Sequence, residues 1–128
     1  MTNADKQYVR DRANHCCEYC RLSQLVASYV RFQIEHIRAK QHHGTDELDN
    51  LALACPRCNR FKGTNLTAID PETQEITQIF HPRQHVWSDH FALIGIEIIG
   101  LTSIGRCTVE LLHMNDEERL RVREAMLE

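Results

Sequence analysis

The sequence lacks any apolar run approaching the ~20 residues that a membrane-spanning helix needs. Its opening, MTNADKQYVRDRANHCCEYC, is polar and has no apolar core of a secretory signal. Internal repeats, low-complexity tracts and linker-like stretches are missing as well. Positive charge is not in excess: 15 Lys and Arg stand against 18 Asp and Glu, a formal net charge of −3. Whole-chain electrostatics therefore give no sign of a nucleic-acid partner. What remains is a chain of 128 residues, 42% apolar and 26% charged, which is ordinary for a soluble globular protein. It reads as one domain over residues 1–128, cytoplasmic and without a membrane partner; its oligomeric state is not legible.

In an intracellular chain, six cysteines point to metal ligands or free thiols more than to a disulfide scaffold. Four of them form two pairs of one spacing, Cys17-Glu-Tyr-Cys20 and Cys55-Pro-Arg-Cys58, separated by 34 residues. Each such turn offers two thiolates from one tight backbone corner. Two corners complete the tetrahedron that zinc takes with sulfur at about 2.3 Å, leaving no open position. The expectation is a structural zinc on Cys17, Cys20, Cys55 and Cys58. Cys16 and Cys107 have no partner at that spacing and read as plain thiols. Two matched pairs also exceed what a redox dithiol requires.

Coarse patterning is that of a small α+β protein. Residues 5–15 have helical character, and Tyr29–Ile37 alternates as a strand does, with Val30, Phe32 and Ile34 on one face. A polar loop turns at Gly44, NLALA suits a second strand, and NRFKGTNLTAI suits a short helix. Farther on, ITQIFHPR, HVWSDHFAL and IEIIGL read as extended pieces. Thr102 is placed to cap one helix, and Asn115 with Glu118 to open another.

Between the cysteine pairs lies IEHIRAKQHHGTDELDNLALACPRCNRFKG. This stretch resembles the motif of HNH endonucleases, with Glu35 and His36 ending a strand, Asn50 after a loop and Asn59 directly behind the last cysteine. The motif covers about residues 16–63. The remainder resembles the extension of one bacterial, largely cyanobacterial, HNH subgroup.

The resemblance implies a ββα-metal (His-Me finger) core at about 16–66 and a strand-helix extension at about 67–128. It implies hydrolysis of DNA phosphodiesters with His36 as general base, and with Asn50 cross-linking the loop behind it. It also implies one Mg²⁺ or Mn²⁺ ion on Glu35 and Asn59. Carboxylate and amide oxygens suit such hard cations, and neutral imidazole suits proton abstraction. Two letters depart from the usual motif: Glu35 stands where Asp is common, and Asn59 where His is common. Arg57, Arg60 and Lys62 are candidate phosphate contacts. Strict alternation aims Glu35 and His36 at opposite strand faces, so one phosphate can meet both only if the strand bends or ends there.

Two other readings share this frame: a zinc-dependent module that binds nucleic acid without cutting it, and a structural zinc domain that binds protein. His81, His85 and His90 could suggest a second metal site, but scattered solvent-exposed or hydrogen-bonded histidines are the expectation. Trp87 and Phe91 are expected in the core, and the arginines of the last helix on a solvated face.

Overall fold

In the computed structural model, residues 1–127 are described. The chain opens with helix α1, Asn3–Arg12, started by a capping box in which Thr2 and Asp5 each accept from the other's backbone N–H. Strand β1, Gln33–His36, pairs antiparallel with β2, Leu51–Ala54. Helix α2, Pro56–Lys62, follows at once, with Pro56 in its first turn, where its missing N–H is harmless. β1, β2 and α2 make the ββα unit, and β2 is its buried centre: Leu51, Ala52, Leu53 and Ala54 are all shut off from solvent.

The strand expected over Tyr29–Ile37 is shorter than its alternation implied. Its first half is tied by a side chain instead of a neighbouring strand. The Gln24 amide donates to the Val30 carbonyl at 2.6 Å and accepts from the Phe32 N–H at 2.6 Å.

Two more hairpins form the extension: β3, Thr67–Ile69, with β4, Ile76–Gln78, and β5, Phe91–Ile94, with β6, Glu97–Gly100. A single turn of helix, α3 (Trp87–His90), leads into β5. Helix α4, Ser103–Leu111, is capped by Thr102 as expected, its hydroxyl accepting from the Gly105 N–H. Gly105 has to be glycine, because a Cβ there would lie 2.0 Å from the His90 carbonyl oxygen.

Helix α5, Glu117–Leu127, starts one residue later than expected. Asp116 caps it by accepting from the Arg119 N–H at 3.0 Å. Asn115 is used elsewhere: its amide bridges both backbone groups of Ile98 at 2.8 Å each. No helix among the described residues is long and apolar enough to cross a membrane.

The extension is bolted together by Asp70, whose carboxylate takes two bonds from the Arg106 guanidinium, at 3.0 and 2.8 Å. These bonds, with further ones from Thr73 and the Glu72 N–H, hold its carboxyl well below the ordinary range. A depressed folded value means stability that is present above the unfolded value and is lost as pH falls through the folded one. Asp70→Asn is therefore expected to lower the denaturant midpoint at neutral pH. Its deficit relative to the parent should shrink as both are acidified below the usual carboxylate range, and a deficit constant with pH would contradict this.

Candidate active site and cysteine cluster

The two cysteine pairs meet. Their four sulfurs lie within 4.8 Å of one another, all buried, and Cys20 and Cys55 Sγ are 3.7 Å apart. A tetrahedron with ~2.3 Å from centre to sulfur has edges of about 3.8 Å, so the spacing fits zinc and is far too long for a disulfide. Hydrogen bonds from Cys17, Cys20 and Cys58 hold the Cys55 thiol far below its usual range, whereas burial pushes Cys17 and Cys58 up.

A second observation comes from α5. Arg119 is 1% exposed and donates to Cys58 Sγ at 3.1 Å, while its Nε and its other amino group have no partner among the described residues. A buried guanidinium needs an anion beside it. Four thiolates around a dication carry a net charge of −2 and supply one.

The last helix is thus not the solvated face its charges suggested. Arg123 is also buried, donating to the carbonyls of Ile96 at 2.6 Å and Met114 at 2.8 Å. The extension grips the first cysteine turn as well. Arg83 pairs with Glu18, whose other oxygen accepts from the Leu53 N–H at 2.8 Å, and Trp87 Nε1 donates to the Tyr19 carbonyl at 2.8 Å. Trp87 stacks on buried Phe91, so both belong to the packing.

His36 ends β1, half-buried, with Nε2 at 2.6 Å from Asp46 Oδ1. A carboxylate can only accept, so this nitrogen carries the hydrogen and Nδ1 is left with the free lone pair. Asp46 also meets Lys40 at 3.2 Å, and the bonds from His36 and then Lys40 hold its carboxyl below the ordinary range. The loop carrying Asp46 is knotted by Asn50. Its amide oxygen accepts from the Arg38 N–H at 2.9 Å, and its amide nitrogen donates to the carbonyls of Arg38 and Thr45 at 3.1 and 2.8 Å. Gly44 allows that closure, since a Cβ there would sit 1.7 Å from the Arg38 carbonyl oxygen.

Alternation within β1 sends Glu35 to the other face. Gln33 and Glu35 both look toward α2, where Asn59 donates to the Gln33 side chain and Lys62 Nζ lies 3.0 Å from Glu35 Oε2. The structure therefore brings Glu35 and Asn59 to one seam between β1 and α2, but each is bonded to another residue. The Glu35 carboxylate is 5% exposed and also accepts from the Tyr19 hydroxyl. Burial raises its pKa, against the pull of Lys62. A divalent ion on Glu35 would have to displace that ammonium, so the expected ion seat does not fit the residues as they stand. Asn59 keeps its amide oxygen unpaired among the described residues.

Two of the three expected phosphate contacts are corrected. Lys62 is 1% exposed and spends its ammonium on Glu35 and on the carbonyls of Ile37 at 2.8 Å and His36 at 3.3 Å. Arg57 is neutralised by Asp116 and Glu118 at the start of α5. Arg60 remains exposed, lying over the Phe61 ring. His85 and His90 pack against Phe80 and His81 against His85, with each Nδ1 engaged by a backbone N–H or by the Thr102 hydroxyl.

The Glu35–Lys62 pair makes a measurable prediction. Lys62→Met leaves a buried carboxylate without its cation and should destabilise by about 3–5 kcal/mol, while Lys62→Met with Glu35→Gln should recover most of that loss. Denaturant midpoints of the two variants check it; equal losses would mean that the pair is not coupled.

Residues 17–65 match the family described as HNH endonuclease. This segment is an HNH-family domain. The match runs from the first paired cysteine through α2 and stops where the extension begins. A curated relative, "Septu protein PtuB" of Bacillus thuringiensis, is 27% identical over 121 residues. That alignment covers 90% of this chain and 44% of the relative, so the chain spans less than half of that protein. No solved structure matches the chain.

Proposed function

We propose that the HNH domain hydrolyses phosphodiester bonds of DNA, with His36 as general base. The observation carrying this reading is the His36–Asp46 pair at 2.6 Å, at the end of β1 and beside the Asn50-knotted loop. Asp46 fixes the ring and its tautomer, leaving Nδ1 to take a proton from water as that water attacks phosphorus. Lys62, bonded to the His36 and Ile37 carbonyls, braces the strand end from beneath. Both are positioning residues.

The cysteine cluster is proposed to hold a structural zinc that contributes to folding and not to the reaction. The family implies a divalent ion, Mg²⁺ or Mn²⁺, which when bound would place positive charge on the phosphate. Because Lys62 holds Glu35, no step is assigned through that ion.

The filled Glu35 seat also favours the rival reading, a module that binds DNA without cutting it. Incubation with supercoiled plasmid separates the two. Cleavage in Mg²⁺ or Mn²⁺, lost to a chelator that leaves zinc in place, supports the nuclease. Salt-sensitive binding without cleavage supports the module.

A further inference from the structure

One groove collects positive charge with no acid in its wall, and it reaches Asp46 through the Met1 ammonium. It runs between α1 and the start of β1 with a volume of about 320 Å³, and its charged lining residues are Lys6, Arg10, Arg31 and, through its ammonium, Met1. Among the described residues, none of Lys6, Arg10 and Arg31 has its cationic group within 4.0 Å of a carboxylate, whereas the Met1 ammonium lies 3.8 Å from Asp46 Oδ2. Almost every other buried or half-buried arginine described above has an acid or a sulfur beside it, and the whole chain is net negative. Lys6 and Arg10 are one helical turn apart and therefore neighbours on the surface of α1. Arg10 is held in place by a 3.0 Å bond from its guanidinium to the Phe32 carbonyl. Burial and then the nearby charge of Arg31 pull its pKa below the usual arginine range. Such crowding is relieved by an anion.

The position of the groove says which anion. Ile34 forms part of its wall, and His36 follows two residues later on the same face of β1, about 7 Å along the strand. The groove is also joined to the candidate base through Met1, whose ammonium meets the Asp46 that holds His36. We propose that this groove binds the sugar-phosphate backbone of the DNA strand lying across His36. The proposal rests on the nuclease reading and adds the path of the substrate to it.

The test uses the full chain and a fluorescently labelled DNA duplex, with anisotropy titrations between about 50 and 200 mM salt. The variant is Lys6→Gln with Arg31→Gln, both exposed and without a side-chain hydrogen bond among the described residues. The control is Arg121→Gln, an exposed residue of α5 paired with Glu117. Each phosphate contact contributes about 0.9 to the slope of log affinity against log salt. The double variant should flatten that slope by about 2 and weaken binding at least tenfold at 0.1 M salt, with Arg121→Gln matching the parent.

Plasmid cleavage is read on the same preparations. A double variant with the parent's slope and affinity overturns the groove while parental cleavage keeps the nuclease reading. Equal loss in Arg121→Gln also overturns it, since that marks non-specific attraction. A parent that neither binds nor cuts DNA overturns both.

Discussion

Replacement of a single sulfur, Cys55→Ala, is expected to release the metal and unfold the N-terminal half of the chain together with α5. Three losses coincide at this residue. The tetrahedral set falls from four thiolates to three. Helix α2 loses its cap, because Cys55 Sγ accepts from the Cys58 N–H at 3.4 Å. Arg119, buried in α5, loses the anion beside it.

Structural zinc in small domains carries on the order of 10–16 kcal/mol of apparent binding free energy, and a whole domain is stable by only about 5–15 kcal/mol. A zinc bound on that scale would decide folding by itself. Elemental analysis of the parent should give one zinc per chain, and Cys55→Ala should give little zinc and rapid proteolysis. A well-folded parent with far less than one metal per chain would contradict this.

The second large effect is on catalysis. His36→Ala is expected to keep the fold and the zinc while lowering DNA cleavage by roughly 10²–10⁴-fold, the usual contribution of a positioned general base. The side chain is half-buried at the end of a strand, so its removal opens no large cavity. Asp46→Asn should fall between the parent and His36→Ala. An amide still bonds Nε2 but no longer selects the tautomer, so the turnover rate should drop while substrate affinity holds. A fall in affinity with an unchanged rate would mean that Asp46 serves binding instead.

How much of this was legible depended on whether the signal was local. The cysteine pairs could be read because a CxxC turn is a fixed geometric object, and pairing two of them needed no knowledge of the fold. The Thr102 cap was likewise carried by short-range chemistry, whereas Asn50 was singled out only by the family resemblance. Asp46 was not: in HHGTDELDN nothing separates it from Glu47 or Asp49 until the loop closes on Asn50.

The last helix misled for a related reason. Arg119 and Arg123, four residues apart among glutamates, look like a solvated face. They are buried because a cysteine cluster 61 residues upstream of Arg119 supplies negative charge, and because backbone carbonyls surround Arg123. Lys62 looks like a phosphate contact because sequence shows a charge but not its burial. The alternation of β1 did foretell the outcome for Glu35: it faces α2 while His36 faces away, and Lys62 is the partner waiting there.

The central claim, that the His36 constellation makes this HNH domain a nuclease, is tested most directly by two assays on paired preparations of the parent and His36→Ala. The assays are cleavage of supercoiled plasmid with Mg²⁺ or Mn²⁺, and salt-dependent binding to a DNA duplex. The account predicts that both proteins bind DNA alike while cleavage by His36→Ala falls at least a hundredfold. Equal cleavage by the two would contradict the role of His36, and salt-sensitive binding without cleavage by either would contradict the nuclease reading itself.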